Sequence, residues 1–255
     1  MESDTEARVR REKEFHDARF ADGEGRRTSS AFYRAADPSK QRLAELVDRI
    51  EAGSKVLELG CGADSVAWDL WDRGVEVTGI DIAAAAIDVA RSKATERGID
   101  PDHFRVGNAE QLEFAPNTFD AVIGSSILHH LELESALEGI RDVLKPDGVG
   151  LFYEPLGRNP AINLYRRLTP SERSVDEHPL VAKDFEFLRR TFDEVELEYF
   201  HLTSLAALPL LRTRAFKPVH NRLERADQWL FERFPSTRSF AWVVVISCRP
   251  GRAGV

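Results

Sequence analysis

Short apolar segments alternate with helical ones between residues 54 and 155, and this alternation constrains the fold more than any other feature of the chain. Helical segments separate most of the apolar runs that predict strands, which begin at Lys55, Val75, His103, Asp120 and Val149. Strands separated by helices of about 10–15 residues are typical of βαβ units and a parallel sheet. The 255 residues, 42% of them hydrophobic, suffice for one large α/β domain.

The regions on either side of this alternation predict further elements. Before it, the apolar spacing predicts helices over about 5–20 and 38–52, around a Gly-rich break at 22–25. After it, a helix is expected at about 182–192, and apolar runs at 194–202 and 241–248 predict two more strands.

Composition and charge exclude several classes of protein. The formal net charge is −8, whereas a domain that binds nucleic acid is usually basic, so no nucleic-acid partner is expected. No apolar run is long enough to span a membrane, and the charged segment Met1–Lys13 is unlike a signal peptide. The two cysteines, Cys61 and Cys248, predict neither a disulfide framework nor a metal cluster. A cytoplasmic setting and no metal are therefore expected.

Three motifs at the ends of predicted strands point to a nucleotide-like ligand. The run Val56–Gly62 is a strand followed by a turn with two glycines, which let the backbone approach a ligand closely. Asp81 ends the next strand, where a carboxylate can accept hydrogen bonds from a ribose, although it could equally cap the following helix. The run Gly107–Glu110 offers a side-chain amide, although Gly and Asn also favour ordinary loops.

Five ordered motifs together resemble those of class I, Rossmann-like S-adenosylmethionine-dependent methyltransferases. The matching runs are Val56–Gly62, Val77–Asp81, Gly107–Glu110, Phe119–Ile123 with Leu128–Leu131, and Leu144–Gly148. The resemblance implies a three-layer α/β sandwich around a mostly parallel seven-stranded sheet. It also implies an antiparallel C-terminal hairpin, which the strands at 194–202 and 241–248 would supply. N-terminal helices and a helical insertion before the last strand would complete the fold.

On this basis we expect one compact domain in three parts. They are an N-terminal helical cap (1–50), a Rossmann-like cofactor-binding core (51–155), and a substrate-side cap with the C-terminal hairpin (156–255).

The resemblance also implies roles in binding S-adenosylmethionine. Residues of the first motif would line the methionine end of the cofactor, namely Glu58, Gly60, Cys61 and Gly62. Asp81 would hold the ribose hydroxyls and Ile82 would pack on the adenine, while Asn108 and Ala109 would meet the adenine edge. Ser125 would offer its backbone to the methionine amino group.

The chain departs from the family pattern at two of these positions. Asp64 stands where a third glycine is frequent, and Asn108 stands where Asp is more usual. The first departure leaves the contacts at the methionine end open. Asn108 keeps an acceptor and adds a donor, so adenine recognition is expected to survive.

Candidates for the acceptor side follow the fourth and fifth strands. His129 is the candidate general base, because histidine titrates near neutral pH, although it could instead pack beneath the loop. The candidate acceptor contacts are His130, Glu154, Tyr165, Arg166 and His178. The alternative for this second group is a packed, salt-bridged cap.

Segment 203–238 combines local basic charge with scattered Leu, Phe and Trp side chains. Such a segment can lie on an anionic membrane surface, form a lid over an apolar substrate, or be an insertion whose apolar face packs on the domain. Peripheral membrane contact and a lipid acceptor are therefore hypotheses only.

The sequence thus predicts methyl transfer from S-adenosylmethionine to a small-molecule acceptor, with a lipid or prenylated acceptor as one hypothesis. A non-catalytic S-adenosylmethionine-binding scaffold is the first alternative. An NAD(P)-dependent oxidoreductase is the second, although Ser65 replaces the third glycine of a dinucleotide-binding turn. The oligomeric state is not indicated.

Overall fold

The computed structural model describes residues 4–21, 35–62, 65–170, 174 and 176–251. Within them, seven strands form one sheet in the order β3-β2-β1-β4-β5-β7-β6. The strands are β1 (Lys55–Leu59), β2 (Glu76–Asp81), β3 (Phe104–Val106), β4 (Phe119–Ser125), β5 (Leu144–Pro155), β6 (Glu194–Phe200) and β7 (Val243–Arg249). The first five pair in parallel, whereas β7 pairs antiparallel with both β5 and β6. The predicted fold class is confirmed.

Eight α-helices accompany the sheet in the described part of the chain. They are α1 (Asp4–Ala21), α2 (Asp37–Val47), α3 (Ala67–Asp72), α4 (Ala84–Glu96), α5 (Leu133–Val143), α6 (Pro160–Leu168), α7 (Asp184–Thr191) and α8 (Phe216–Arg233). Short 3-10 helices lie at Pro101–His103, Leu128–His130, Ser204–Leu210 and Pro235–Phe240. No described helix is both long and apolar enough to cross a membrane.

Alternation along the strands divides the core into two layers, one on each face of the sheet. On β7, Val244 and Ile246 belong to one buried cluster, and Val243 and Val245 belong to the other. Successive side chains of a strand point to opposite faces, so the same apolar run serves both layers. Helices α5 and α7 supply the first cluster, and α2, α3 and α4 supply the second.

Some predicted boundaries differ from the structure. The fifth strand was expected to begin at Val149, but β5 already begins at Leu144 and includes residues 145–148. These residues lie in an irregularity of the pairing, because Phe119 pairs with Leu144 whereas Ala121 pairs with Val149. The predicted Gly-rich break at 22–25 and the position of Asp64 lie outside the described residues.

The insertion between β6 and β7 is helical, as expected. The buried face of its long helix is mainly polar, however, whereas an apolar face was one of the expectations. The buried residues of α8 are His220, Glu224, Asp227 and Phe231. Asp227 accepts hydrogen bonds from the backbone N–H groups of Leu202, Thr203 and Ser204. Polar side chains therefore fix this helix to the loop that follows β6.

Candidate active site

A cavity of about 520 Å³ opens at the carboxyl ends of β1, β2 and β4. In parallel α/β sheets, ligands bind at this edge, and cavities of this volume accommodate small-molecule cofactors. All nine residues predicted to contact the cofactor line it: Glu58, Gly60, Cys61, Gly62, Asp81, Ile82, Asn108, Ala109 and Ser125.

The turn after β1 depends on its two glycines. Gly60 and Gly62 have φ angles of 65° and 53°, in the left-handed region that other residues rarely adopt. A Cβ atom on Gly60 would also lie 3.1 Å from the Cδ1 atom of Ile127. The two glycines therefore shape the floor of the cavity and allow the loop after β4 to approach it closely.

Glu58 is the last charged side chain of β1 and lies buried in the cavity wall. Its carboxylate accepts hydrogen bonds from the Ser65 hydroxyl and, at 3.1 Å, from the backbone N–H of Val66. Burial nevertheless dominates and raises the pKa of Glu58 to about 7, because desolvation disfavours the charged form. A cationic ligand group beside Glu58 would restore its charge.

Asp81 connects the glycine turn with the start of α4. One carboxylate oxygen accepts from the backbone N–H of Gly62 and the other from that of Ala83, both at 2.9 Å. The structure thus combines the two sequence interpretations, since Asp81 supports the helix start and also faces the cavity. Burial raises the pKa of Asp81, and these backbone hydrogen bonds counteract the effect.

The loop after β3 carries the predicted adenine contacts. The Asn108 side-chain oxygen accepts from the backbone N–H of Glu110 at 3.0 Å, so the amide closes its own turn. Its NH₂ group is the part of the amide that can donate to a ligand. Both Asn108 and Ala109 line the cavity.

Helix α1 supplies a wall of the cavity that sequence analysis missed. Arg8, Glu12 and His16 all line the cavity and recur every four residues, which places them on one face of the helix. This spacing was the available signal, but the three residues are charged or polar and form no apolar pattern that would predict contact with the domain. The Arg8 guanidinium donates to both carboxylate oxygens of Glu110, at 2.5 and 2.6 Å, and to the carbonyl of His130 at 3.0 Å.

His130 stands in the cavity wall beside Glu12. Its Nδ1 atom lies 3.2 Å from a Glu12 carboxylate oxygen, and its side chain is 14% exposed. Burial lowers the pKa of His130, which favours the neutral imidazole, while Glu12 opposes the shift. Burial opposes ionisation of Glu12, but the adjacent imidazoles of His130 and His16 and the hydroxyl of Ser174 outweigh it and hold the pKa of this carboxyl well below its usual range.

His129 points away from the cavity and is buried with Glu154. Its Nδ1 atom lies 2.7 Å from one Glu154 oxygen, while the other oxygen accepts from the backbone N–H groups of Ile127 and Leu128 at 2.9 Å. Neither residue is among those that line the cavity. The pair therefore holds the loop after β4 from its buried side.

The remaining predicted acceptor contacts also lie outside the cavity lining. Arg166 donates to the carbonyl of Leu156 and to the side chain of Asn163, and Tyr165 is half-buried on the same helix. His178 is largely exposed, and its backbone N–H donates to the carbonyl of His129 at 2.8 Å. Their predicted role in acceptor binding stays a prediction.

Comparison with known proteins agrees with this geometry. Residues 57–152 match the family model described as a methyltransferase domain. A ubiquinone biosynthesis O-methyltransferase of Stutzerimonas stutzeri is 33% identical over 110 residues, which cover 43% of this chain and 47% of the relative. Its namesake in Photobacterium profundum is 29% identical over 167 residues, which cover 62% and 69%. The chain spans about half the length of the first of these relatives.

Solved structures share the fold over most of the chain. A chain of a Haloferax volcanii complex that contains the Trm112 methyltransferase activator has a TM-score of 0.64 at 20% identity, covering 94% of this chain and 99% of that one. Phosphoethanolamine N-methyltransferase 2 of Haemonchus contortus, solved with phosphomonomethylethanolamine and S-adenosylhomocysteine, has a TM-score of 0.61 at 14% identity, covering 91% and 59%.

Residues 57–152 are therefore a methyltransferase domain of the class I, Rossmann-like kind, and S-adenosylmethionine is the cofactor of such a domain. This match sets aside the oxidoreductase alternative.

Proposed function

We propose that this chain transfers a methyl group from S-adenosylmethionine to a hydroxyl group of a small-molecule acceptor. The observation that carries the proposal is the cavity itself, because all nine residues expected to contact the cofactor line it at the carboxyl edge of a methyltransferase domain. The relatives named as O-methyltransferases support oxygen as the methylated atom.

The cofactor residues would act mainly by binding and orienting. S-adenosylmethionine supplies a methyl group that its sulfonium already activates, so the protein has to align the acceptor and exclude water. Asp81 would accept from the ribose hydroxyls, Asn108 would donate to the adenine edge, and Glu58 would face the positively charged methionine end. The three side chains lie at the ends of adjacent strands, or just beyond them, so the sheet holds them in a fixed relation.

His130, rather than His129, is the residue we propose as general base. It lines the cavity in its neutral form, and Glu12 beside Nδ1 would stabilise the imidazolium after the acceptor proton is taken. His129 cannot take that role from its buried position against Glu154, where it would act as a positioning residue.

The acceptor we propose carries an apolar, prenyl-like chain beside its hydroxyl. The relatives are named as enzymes of ubiquinone biosynthesis. Apolar side chains from α1 and from the loop after β4 also line the cavity, namely Val9, Ile127 and Leu131. Outside it, Trp229 and Phe234 are 58% and 46% exposed near the end of α8. This exposed aromatic pair supports peripheral contact with a membrane that holds such an acceptor.

The test is transfer of a radiolabelled methyl group into a host-cell extract that is separated afterwards into lipid and aqueous phases. With the wild-type protein, we expect label in the lipid phase that survives treatment with base, as a methyl ether does. His130→Gln should lower the rate by about 10²–10⁴-fold with the cofactor dissociation constant unchanged. The control His103→Gln, at a histidine that does not line the cavity, should leave the rate unchanged.

The pH dependence separates the base from a structural histidine. Activity should rise with pH as His130 loses its proton, and its lowered pKa places this limb below the usual value of about 6.5. Glu12→Gln removes a group that raises this pKa, so the limb should move to still lower pH.

In the labelling experiment, label only in the aqueous phase would refute the apolar acceptor. Cofactor binding without any methyl transfer would favour the scaffold alternative.

A further inference from the structure

A second cluster of titratable side chains lies outside the cavity, where the helical insertion meets the sheet. His201 directly follows β6, and His220 and Glu224 lie on α8, four residues apart and so on one face of the helix. The exposed fractions of these residues are 0%, 3% and 8%. Buried polar groups normally have hydrogen-bond partners, so any atom of this cluster without one requires an explanation.

The three side chains converge on a single point. One nitrogen of each imidazole and one carboxylate oxygen all lie within 4.8 Å of one another. The Nε2 atom of His220 lies 3.7 Å from Oε1 of Glu224, and Nδ1 of His201 contacts the same oxygen. Two ligands of one tetrahedral Zn²⁺ ion at roughly 2.0–2.1 Å lie about 3.4 Å apart. The separation of His220 from Glu224 suits a shared ion, whereas the directly hydrogen-bonded His201 and Glu224 would have to move apart to admit one.

His220 is the residue that the protein alone leaves incomplete. Its Nε2 atom is buried and has no hydrogen-bond partner among the described residues. The ring makes a hydrogen bond with the backbone of Ala35, which Nδ1 must supply because Nε2 makes none. The neutral imidazole thus turns a bare nitrogen towards a carboxylate, which is unfavourable unless a cation lies between them.

His201 is held in a corresponding way. Its Nε2 atom lies 2.8 Å from Oγ of Ser39, whose own hydroxyl donates to the carbonyl of Ala36 at 2.9 Å. With that proton so placed, Ser39 accepts from Nε2, and Nδ1 is left to face Glu224. Histidine ligands of metals usually donate their outer nitrogen to a protein oxygen, and both rings have this arrangement.

The backbone around the cluster is fixed by independent contacts. His201 has a φ angle of 63°, in the left-handed region that non-glycine residues seldom occupy. The loop that follows is held by Asp227, one turn beyond Glu224 on α8, through its three backbone hydrogen bonds. The three side chains are therefore brought together by a rigid frame from two separate elements.

We propose that His201 Nδ1, His220 Nε2 and the Glu224 carboxylate form a binding site for a divalent transition-metal ion such as Zn²⁺. Two imidazoles and one carboxylate suit Zn²⁺ or Fe²⁺ rather than Mg²⁺ or Ca²⁺, which prefer oxygen ligands. Water would complete the coordination. The ion would join the end of β6, the insertion helix α8 and, through Ser39 and Ala35, the start of α2.

The test uses the full-length protein stripped of metal with a chelator and titrated with ZnCl₂, followed by calorimetry and thermal unfolding. We expect zinc to raise the Tm of the wild-type protein in a concentration-dependent manner, and X-ray absorption of the bound ion to show two imidazole ligands. His220→Gln and Glu224→Gln should each abolish the rise in Tm while far-UV circular dichroism stays that of the wild type.

His16→Gln is the matched control, because His16 forms another group of close ligand atoms with Glu12 and His130 on the cavity wall. The rise in Tm should persist in this variant. The proposal is overturned if the wild-type protein binds no zinc, if the response is lost in His16→Gln and kept in His220→Gln, or if the spectrum shows no imidazole pair. The spectrum of zinc-loaded His16→Gln should still show an imidazole pair, because this variant breaks only the cluster on the cavity wall, so the proposal stays testable if a variant at the proposed site fails to fold.

Discussion

Glu58 shows how the candidate site and the stability of the fold are connected at a single residue. The carboxyl lies in the cavity wall, and its pKa of about 7 lies well above the ordinary value because burial removes water from it. Deprotonation therefore costs folding free energy in the absence of a cationic ligand. Buried carboxyls with raised pKa values are frequent at functional sites.

We predict that Glu58→Gln makes the ligand-free protein less sensitive to high pH. The folded-state pKa lies above the unfolded one, so the wild-type protein loses stability as pH rises from about 4.5 through 7, up to about 3 kcal/mol. The difference in Tm between Glu58→Gln and wild type should grow over this range and level off above it. Thermal unfolding at several pH values measures it, with Glu76→Gln, an exposed carboxyl on β2, as control; a constant difference would show that Glu58 does not titrate there.

At the scale of secondary-structure elements, α1 gives the cavity its outer wall. The two hydrogen bonds from Arg8 to Glu110 and the third to the His130 carbonyl join this helix to the loops after β3 and β4. Charge-assisted hydrogen bonds of this kind contribute more to stability than neutral ones. The helix is therefore fixed as one wall of the cavity.

We predict that Arg8→Gln weakens S-adenosylhomocysteine binding by about tenfold or more, because a partly buried charged hydrogen-bond pair contributes roughly 1.5–3 kcal/mol. Arg10→Gln is the matched control, since Arg10 pairs with Glu14 on the exposed side of α1 at 3.8 Å and such pairs contribute little. Equal affinities of the two variants for S-adenosylhomocysteine, measured by calorimetry, would mean that the contacts of Arg8 do not support ligand binding in the cavity.

The sheet and its cofactor edge could be predicted from the sequence because their signals are local. Apolar alternation marks the strands, and Gly60, Gly62 and Asp81 lie within a few residues of strand ends whose positions the fold dictates. The elements α1 and α8 could not be placed in this way, because polar side chains make many of their contacts with the domain. Neither the Arg8–Glu110 pair nor the His201–Glu224 contact has a periodic apolar signature.

The change from His129, the base expected from the sequence, to His130, the base we propose, also depends on a contact that the local sequence does not reveal. The two residues are adjacent in a short 3-10 helix, so a rotation of one position decides which ring faces the cavity. Glu154 determines the rotation by binding the backbone of Ile127 and Leu128 together with the His129 ring. That long-range contact is invisible in the local sequence.

In the whole molecule, the carboxyl edge of the sheet carries both proposed sites. The end of β6 lies beside the end of β5 through β7, since Phe200 and Pro155 both pair with Val243. The metal site we propose therefore lies at the same edge as the cavity, but beyond the β4–β5 side of it. The metal site would hold the insertion in place, and the cavity would carry out methyl transfer. A variant that disrupts one of the two sites should therefore still bind its ligand at the other.

Calorimetric titration of S-adenosylhomocysteine into the wild-type protein and into Asp81→Ala tests the central claim most directly, because it requires no acceptor. Asp120→Ala is the control, since Asp120 is also a strand carboxylate but binds Lys145 and the Lys55 backbone outside the cavity. We predict one-to-one binding to the wild-type protein and to the control, and an affinity at least about tenfold lower for Asp81→Ala with the fold intact. No binding to the wild-type protein, or unchanged affinity in Asp81→Ala, would contradict the account.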